Sequence, residues 1–463
     1  MAGSILNALG VALHYSGGSS AWFSATGSGP RLNGTARNDS MWGDGAVDVT
    51  MAGGTGDDIY YLYSARNRAF ETAGEGIDTI STWMSYTLPA HIENLTVTGH
   101  GRYAFGNDLD NIVTGGSGSQ TIGGGAGNDV LIGGGGADIF VIRKGDGSDL
   151  VTDFGADDTL RLDGYGLTSF AGVLSAMRQE GDDVRLALGG GESFVFADTT
   201  IADFRADQFR LALDRSALAL TFVDNFNGLS LSDDGGTWDA RHWWAPEKGA
   251  TLTENGEKQW YVNPSYGPTS SVDPFSIDDG VLTITAQKTP EDIRPIIDGY
   301  EYTSGMLTTH SSFSQTYGYF EIRADMPDER GTWPAFWLLP ADGSWPPELD
   351  VVEMRGQDPN TVHVTVHSNE TGERTSISDA VTVDDTGGFH TYGVLWTPEK
   401  IVWYFDDVAV ASADTPSDMH DPMYMIVNLA VGGVAGTPDA GLNDGAELKV
   451  DYIRAYALDD WLV

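Results

Sequence analysis

The chain of 463 residues contains no cysteine and few basic residues. Without cysteine, a disulfide framework and a thiolate metal site are both excluded. Lysine and arginine total 25 against 67 aspartates and glutamates, which gives a net charge of −42. Such a chain repels nucleic acid and anionic membranes, so we expect no nucleic-acid partner and regard cations as favoured partners.

Long apolar runs and helical patterns are also scarce. No apolar segment reaches the ~20 residues that cross a bilayer, so no membrane insertion is expected. The first residues, MAGSILNALGVALHY, have an apolar patch but no positively charged start, which is a poor match to a secretory signal peptide. Any export is therefore expected to use another route. The length and the 41% hydrophobic content predict two or three folded domains.

Glycine is in excess, at 60 residues, and part of it recurs with a nine-residue period. Four consecutive blocks from Gly106 onward read GNDLDNIVT, GGSGSQTIG, GGAGNDVLI and GGGGADIFV, and a further block, GGTGDDIYY, starts at Gly53. The glycines permit turns with positive φ, and position six adds a carboxylate in several blocks. Position eight is large and apolar in all of them: Tyr60, Val113, Ile122, Leu131 and Phe140. This regularity favours short strands with buried side chains over a flexible linker.

These blocks resemble the glycine-rich nonapeptide of the repeats-in-toxin family, G-G-x-G-x-D-x-U-x, where U is large and apolar. The resemblance implies a parallel β-roll with capping strands over residues 1–215 and structural calcium between stacked turns. The implied calcium ligands are the position-six residues Asp58, Asp129 and Asp138. One coil spans two nonapeptides, so Asn111 and Asp129 would share an ion. Gln120 and Asp138 would form a second such pair. In each pair one of the two residues is not an acid, so few strong calcium sites are expected.

From Phe222 onward, short alternating strands recur with turn signals between them, as in GVLTITAQK, YGYFEIRADMP, TVHVTVHS and KIVWYFDD. Many even strands over about 240 residues predict an antiparallel sandwich or jelly roll. The tract 212–222 is the expected domain boundary. The sequence therefore predicts an all-β chain, in which a parallel β-roll precedes an antiparallel β-jelly-roll sandwich over residues 222–458.

The segment PPELDVVEMRG places three acids, Glu348, Asp350 and Glu353, on one apolar strand. Ideal alternation puts Glu348 and Asp350 on one face and Glu353 on the other. A β-bulge at Val351–Val352 would bring Glu353 back to the first face. Three acids would then line one wall of a groove, and two carboxyl groups about 5–5.5 Å apart suit a retaining glycosidase. The alternative is a solvated edge strand with acids on its outer face.

The surroundings of this strand resemble glycoside hydrolase family 16 over nearly all of residues 222–458. The segments that carry the resemblance include FVDNFNG, GTWPAFWLLP, ELDVVE, VHVTVHS, NLAVGG and VDYIRAY, which follow one another in order. That family implies a β-jelly-roll of retaining endo-hydrolases that act on β-1,3 and mixed β-1,3/1,4 glucans and on galactans. It further implies Glu348 as the nucleophile, Glu353 as the general acid/base and Asp350 as the assisting residue.

Aromatic and polar residues near the motif are candidates for substrate contact, because sugar rings stack on aromatic faces. Trp345 and Trp333 are the expected platforms. His367 resembles the family histidine near the acid/base, and Asn428 is a further cleft candidate. Asp451 resembles a family position that helps to bind a structural calcium ion. Packing within the sandwich is the alternative for each of these residues.

The layout of repeats followed by a hydrolase resembles secreted succinoglycan depolymerases, which are endo-1,3-1,4-β-glycanases. It implies a secreted retaining endo-β-glycanase with bacterial exopolysaccharide as its substrate. The alternatives are a laminarinase, lichenase or galactan hydrolase of the same fold, and a non-catalytic, calcium-dependent polysaccharide-binding matrix protein. The intact set of acids favours an enzyme. The tail 459–463 ends in an acid and three large apolar residues, which resembles substrates of type I secretion machinery and implies an extracellular location.

Overall fold

The computed structural model describes residues 31–43, 48–383 and 386–458, together with the backbone of three short strands nearer the N-terminus. The expected secretion tail, 459–463, lies outside the described residues. The chain divides into two compact units, Met1–Ala212 and Leu213–Val463. In the described ranges, no helix is long and apolar enough to cross a membrane.

Short strands dominate the first unit. Their bounds are β1 Ile5–Leu6, β2 Ala12–Leu13, β3 Ala21–Ser24, β4 Arg31–Asn33, β5 Asp39–Trp42, β6 Val49–Ala52, β7 Ile59–Leu62, β8 Asn67–Ala69, β9 Thr79–Thr82, β10 Tyr86–Thr87, β11 Asn94–Val97, β12 Arg102–Phe105, β13 Ile112–Thr114, β14 Gln120–Gly123, β15 Val130–Ile132, β16 Ile139–Arg143, β17 Ser148–Val151, β18 Thr159–Asp163, β19 Met177–Glu180, β20 Asp183–Gly189, β21 Glu192–Phe196 and β22 Phe209–Arg210. One α-helix is described, α1 Phe170–Ala176, and 3-10 turns span Ile201–Asp203 and Ala206–Gln208.

Most of these strands stack in parallel, coil upon coil. One sheet runs in the order β3-β5-β7-β9-β11-β13-β15-β17 and continues into β21, β20 and β19, of which β20 and β19 are antiparallel. A second sheet runs β10-β12-β14-β16-β18-β22, and β4-β6-β8 form a third. Val113 pairs with Leu131, and Ile122 pairs with Phe140. One coil therefore spans two nonapeptides, and the predicted parallel β-roll is confirmed.

The repeat dictates the interior of the roll. The position-eight side chains of all five blocks are 0% exposed and belong to one core cluster. The turns need glycine for a different reason. Gly134 has a φ of +86°, and a Cβ atom there would lie 2.0 Å from the carbonyl oxygen of Gly116 in the neighbouring coil. Only glycine allows the coils to approach so closely.

The second unit is built from longer, antiparallel strands. Their bounds are β23 Leu218–Asp224, β24 Gly249–Ala250, β25 Gln259–Val262, β26 Phe275–Asp278, β27 Val281–Lys288, β28 Tyr302–Ser304, β29 Met306–Thr308, β30 Gly318–Asp325, β31 Thr332–Pro340, β32 Glu348–Arg355, β33 Asp358–Ser368, β34 Thr375–Thr382, β35 His390–Trp396, β36 Lys400–Phe405, β37 Val408–Asp414, β38 Met423–Val431 and β39 Ala446–Leu458. Short 3-10 turns span Arg215–Ala217, Ser232–Asp234, Thr253–Asn255, Gly267–Val272, Gly433–Ala435 and Ala440–Asp444.

Two sheets form the sandwich of this unit. The larger runs β24-β25-β28-β27-β39-β30-β35-β36-β37, with β23 on β39 and β26 on β27. The smaller runs β29-β38-β31-β32-β33-β34. Alternate residues of both sheets, such as Phe320 and Ile322 on β30 and Phe336 and Leu338 on β31, share one buried apolar cluster. This is the predicted antiparallel sandwich, and β32, the strand with the three acids, lies inside the smaller sheet.

Candidate active site

A change of strand register in β32 brings the three acids to one face of the smaller sheet. On β32, Asp350 pairs with Trp337 and Glu353 pairs with Ala335, so three steps along β32 match two steps along β31. The same slip occurs on the other side of β32, against β33. One extra residue therefore lies in β32 between Asp350 and Glu353. The predicted β-bulge at Val351–Val352 is confirmed.

The bulge turns two consecutive side chains toward the same core. Val351 is 1% exposed and Val352 is 0% exposed, and both belong to the cluster between the two sheets. Neighbouring residues of a regular strand point to opposite faces. Because the bulge absorbs one step of this alternation, Glu353 returns to the face that carries Glu348 and Asp350. We call this side of the smaller sheet the acid face.

Three tryptophan indoles hold the strand and its acids. Trp345 Nε1 donates to Glu348 Oε2 over 2.5 Å, and Trp333 Nε1 donates to Glu353 Oε1 over 2.8 Å. From the other sheet, Trp403 Nε1 reaches through the core to the backbone carbonyl oxygen of Asp350 at 2.8 Å. Indole nitrogens only donate hydrogen bonds. These contacts therefore stabilise ionised carboxylates at both ends of the motif and anchor the backbone beside the bulge.

His367 faces the same acids from β33, where it pairs with Glu348. Its Nε2 lies 3.5 Å from Asp350 Oδ2 and 3.8 Å from Glu348 Oε1. Its Nδ1 shares a 2.7 Å hydrogen bond with the hydroxyl of Ser376. The imidazole is thus fixed by the next strand and presents one nitrogen to the two carboxyl groups.

Burial raises the pKa of all three acids. It raises the pKa of Glu348 to about 8, with the charge of Asp350 as the next cause. The pKa of Asp350, which is only 3% exposed, is raised well above its usual range. The pKa of Glu353 is also raised, against the opposing effect of the Trp333 hydrogen bond. The three carboxyl groups cannot all be ionised near neutral pH, so the acid face keeps at least one proton.

The geometry favours Asp350 as the group that holds this proton. Within the described part of the chain, its buried Oδ2 has no hydrogen-bond donor. Glu348, by contrast, accepts the Trp345 indole N–H and lies near His367. Once Asp350 is neutral, its repulsion of Glu348 disappears and the pKa of Glu348 falls. An ionised Glu348 beside a protonated Asp350 follows.

Asn428 lies two strands from Glu353 in the same cross-strand row, because Ala335 pairs with both residues. Its Oδ1 accepts the indole N–H of Trp337 at 2.7 Å, and its Nδ2 donates to the hydroxyl of Tyr261 at 2.9 Å. Asn428 is 5% exposed. Its amide is thus occupied by two side chains, and it positions Trp337 beside Asp350.

The structure brings most of the expected second-unit residues together. On or beside the acid face lie Glu348, Asp350, Glu353, Trp345, Trp333, His367 and Asn428. The side chain of Trp345 is 50% exposed, whereas that of Trp333 is more deeply buried. Asp451 lies on β39 in the other sheet, where its Oδ2 accepts a 2.5 Å hydrogen bond from Arg323. The remaining metal candidates, Asp58, Asp129 and Asp138, are buried in the first unit.

Sequence reasoning missed an aromatic group that reaches the acid face. Trp243 and Trp244 are 50% and 49% exposed and stack on His310 and His242 respectively. His310 in turn packs edge-on against Tyr424 of β38. His242 also packs edge-on against Trp337, which lies beside Asp350 on the acid face. The adjacent tryptophans of RHWWAPE were the available signal.

A β-sandwich that holds three carboxyl groups on one sheet face, beside indole donors and exposed tryptophans, is the arrangement of a glycoside hydrolase. Residues 263–454 match the family model of the glycosyl hydrolases family 16. The chain is 71% identical to the endo-1,3-1,4-beta-glycanase ExsH of Rhizobium meliloti (strain 1021), over 100% of both chains. It is 66% identical to the endo-1,3-1,4-beta-glycanase EglC of the same strain, again over 100% of both. The chain belongs to glycosyl hydrolases family 16.

A more distant relative covers only part of the chain. The beta-glucanase of Rhodothermus marinus is 34% identical over 53% of this chain and 89% of its own length. The family match begins at residue 263, whereas β23 (Leu218–Asp224) already pairs with β39 of the sandwich. The second unit therefore starts before the matched segment.

Replacement of Trp333 by Phe should raise the pKa of Glu353 further, because the lost N–H stabilises the carboxylate. Carbon-13 NMR titration of the glutamate carboxyl groups, assigned with Glu353→Gln, measures this shift. Trp337→Phe is the matched control, since its indole N–H serves Asn428 instead. An unchanged or lowered pKa of Glu353 in Trp333→Phe would contradict the site electrostatics.

Proposed function

We propose that this chain is a secreted, retaining endo-β-glycanase that hydrolyses β-1,3/1,4-linked bacterial exopolysaccharide such as succinoglycan. The observation that carries the proposal is the bulged strand β32, which gathers Glu348, Asp350 and Glu353 on one face. The two full-length relatives are both named endo-1,3-1,4-beta-glycanases. These names support β-1,3 and β-1,4 linkages in the substrate.

In the first step, the ionised Glu348 attacks the anomeric carbon of the sugar at the cleavage point. Glu353, whose pKa is raised by burial, acts as the general acid and gives its proton to the glycosidic oxygen. The bond between that oxygen and the anomeric carbon breaks, and the leaving chain departs with a free hydroxyl group. An ester between Glu348 and the sugar remains.

In the second step, Glu353 is a carboxylate and takes a proton from an incoming water molecule. The water oxygen attacks the anomeric carbon, and Glu348 leaves as a carboxylate. Each step inverts the anomeric centre, so the product keeps the configuration of the substrate. Glu353 ends protonated, ready for the next cycle.

Asp350 and the neighbouring donors hold Glu348 in its reactive state. The proton on Asp350 lies next to the Glu348 carboxylate, and the Trp345 indole N–H binds the other carboxylate oxygen. The Nε2 atom of His367 adds a further polar group 3.8 Å from Glu348. These fixed dipoles stabilise the attacking carboxylate without reorganisation during the reaction.

The aromatic side chains at this face support attack within a polymer chain. Trp243, Trp244 and Trp345 are each about half-exposed, and each can stack on a sugar ring. Several separate platforms bind several sugars of one chain, which favours cleavage at internal bonds over removal of terminal units.

Replacement of either Glu348 or Glu353 by Gln should lower hydrolysis about 1,000-fold or more while the fold is kept. Azide separates their roles. Glu348→Ala should yield a glycosyl azide of inverted configuration, and Glu353→Ala one of retained configuration. Glu373→Gln, at an exposed position before β34, is the control and should keep wild-type activity. Near wild-type activity of either Gln variant would refute the assignment.

The mode of attack and the substrate have their own test. With succinoglycan, solution viscosity should fall well before many reducing ends appear, and the early products should be large oligosaccharides. Release of only mono- or disaccharides would overturn endo-cleavage. Activity on agar or carrageenan, but on no β-glucan, would keep the family and overturn the proposed substrate.

For the first unit, we propose bound calcium between the turns of the roll. Oxygen atoms of Asp58, Glu71 and Asp78 lie within 4.8 Å of one another, and these side chains are at most 2% exposed. Asp58 Oδ2 and Glu71 Oε2 have no hydrogen-bond partner in the described part of the chain. Burial raises the pKa values of these acids to about 7, 8 and 7, in the same order. A cluster of oxygen donors without a counter-charge suits calcium.

The same pattern recurs further along the roll. The backbone N–H of Asn111 donates to Asp129, and that of Asp129 donates to Asp149 in the next coil. Burial raises the pKa of Asp129 to about 9, and its Oδ2 is buried without a partner among the described residues. The backbone N–H of Asp138 donates to Asp158 in an equivalent way. These acids support cation binding at more than one turn.

A calcium requirement also supports export. Metal binding supplies folding free energy, so a calcium-poor cytoplasm would leave the roll weakly folded and the extracellular medium would complete it. Such a chain suits type I secretion machinery as its partner and an extracellular location.

Calcium should stabilise residues 48–212 more than residues 222–458, and increasingly as the pH rises from about 4 to about 7. The reason is that Asp58 ionises near pH 3.8 in the unfolded chain but keeps its proton up to a pKa of about 7 in the cation-free roll, so that roll loses stability as the pH rises and calcium, which binds the carboxylate, restores it. Hydrogen exchange of the full chain, corrected for intrinsic rates, measures this. Asp58→Asn should weaken the calcium effect, whereas the exposed Asp182→Asn should not. An equal calcium effect in both variants would contradict the proposal.

A further inference from the structure

An arginine lies at the edge of the acid face without an acidic partner. Arg374 directly precedes β34, and its Cζ lies 4.3 Å from the ring centroid of Trp345. Trp345 in turn donates its indole N–H to Glu348. A single aromatic side chain therefore separates the guanidinium group from the carboxylate that carries the proposed attack.

Arg374 differs from the basic residues of this chain that form ion pairs. Acids outnumber basic residues 67 to 25, and Arg215, Arg323, Lys248 and Lys400 each form an ion pair with a carboxylate. Among the residues that the structure describes, the guanidinium of Arg374 contacts the indole and makes no hydrogen bond or ion pair. Arginine has five N–H donors. At this exposed position they face the solvent beside the acid face.

We infer that Arg374 binds a carboxylate group carried by the polysaccharide and makes the enzyme selective for acidic β-glucans. The inference rests on the proposed function and adds a recognition residue to it. A planar guanidinium matches a carboxylate with two parallel hydrogen bonds. Its contact with Trp345 restricts its motion before the substrate arrives, which reduces the entropy lost on binding.

The charge balance of the acid face gives this arginine its importance. A chain of net charge −42 repels an acidic polymer, and screening confines that repulsion to about 8 Å at physiological ionic strength. The local charge near the cleavage point therefore decides binding. Burial lowers the pKa of His242 to about 4, so that group is neutral at neutral pH. His367 is directed at Glu348 and Asp350. Arg374 supplies a permanent positive charge that the substrate can reach.

The test compares three forms of one polymer: succinoglycan, an alkali-treated form without ester-linked acids, and a carboxyl-reduced form. For the wild type, Arg374→Gln and Arg374→Lys, kcat and KM are measured on each polymer. Arg374→Gln should lower the ratio of kcat/KM on succinoglycan to that on the reduced form by roughly 5- to 10-fold, mainly through KM. Arg374→Lys should give an intermediate ratio, because it keeps the charge and loses the planar fork.

The control is Lys400→Gln, which makes the same change in net charge on the other sheet. If the loss of selectivity persists on the alkali-treated polymer, the carboxylate that Arg374 binds is not ester-linked. If the loss disappears on that polymer, the bound carboxylate belongs to an ester-linked acid. An unchanged ratio in Arg374→Gln, or an equal fall in Lys400→Gln, would overturn the inference. Equal losses on all three polymers would overturn it too, since Arg374 would then act by positioning Trp345. Wild-type inactivity on all three would overturn the proposed function itself.

Discussion

The single-residue bulge in β32 is the constraint on which the acid face depends. A regular strand would place Glu353 in the apolar core and leave Glu348 and Asp350 alone on the other side. The slip against both neighbouring strands reverses this, and it does so by burying Val351 and Val352 together between the sheets. The hydrophobic core and the chemistry are therefore set by the same irregularity.

The position of the bulge is fixed from outside the strand. The indole of Trp403, on the opposite sheet, donates to the carbonyl oxygen of Asp350 immediately before the extra residue. Trp345 and Trp333 donate to the carboxyl groups at the two ends of the motif. The acids are thereby held in place while burial raises their pKa values, which is the combination that acid/base chemistry at neutral pH requires.

The two units treat buried carboxylates in different ways. On the acid face, mutual repulsion and burial retain a proton, and donors on neighbouring strands stabilise the remaining charge. In the roll, Asp58, Glu71 and Asp78 are almost fully buried and two of their oxygens lack partners in the described residues. Protons satisfy such a cluster only up to about neutral pH, where these acids ionise, so the proposed cations are the physical counterpart of the donors in the sandwich.

Local patterns in the sequence predicted much of this arrangement. The nonapeptide period predicted the coil length, and the spacing of Glu348, Asp350 and Glu353 on one strand indicated the bulge. Contacts between distant segments could not be read in this way. Glu71 lies outside the nonapeptide blocks, and Trp403 lies 53 residues from Asp350 in the chain. The ion pair between Asp451 and Arg323 joins the neighbouring strands β39 and β30, which are far apart in the sequence. Each of these depends on strand order, which local pattern does not encode.

The central claim is that the bulged strand presents Glu348 for attack on the sugar. A 2-deoxy-2-fluoro glycoside with a good leaving group slows the second step and traps the covalent sugar ester. Mass spectrometry of the digested enzyme then locates the added sugar. The account predicts one label per chain, on Glu348. A label on Glu353 or Asp350, or turnover of the reagent without any covalent adduct, would contradict it.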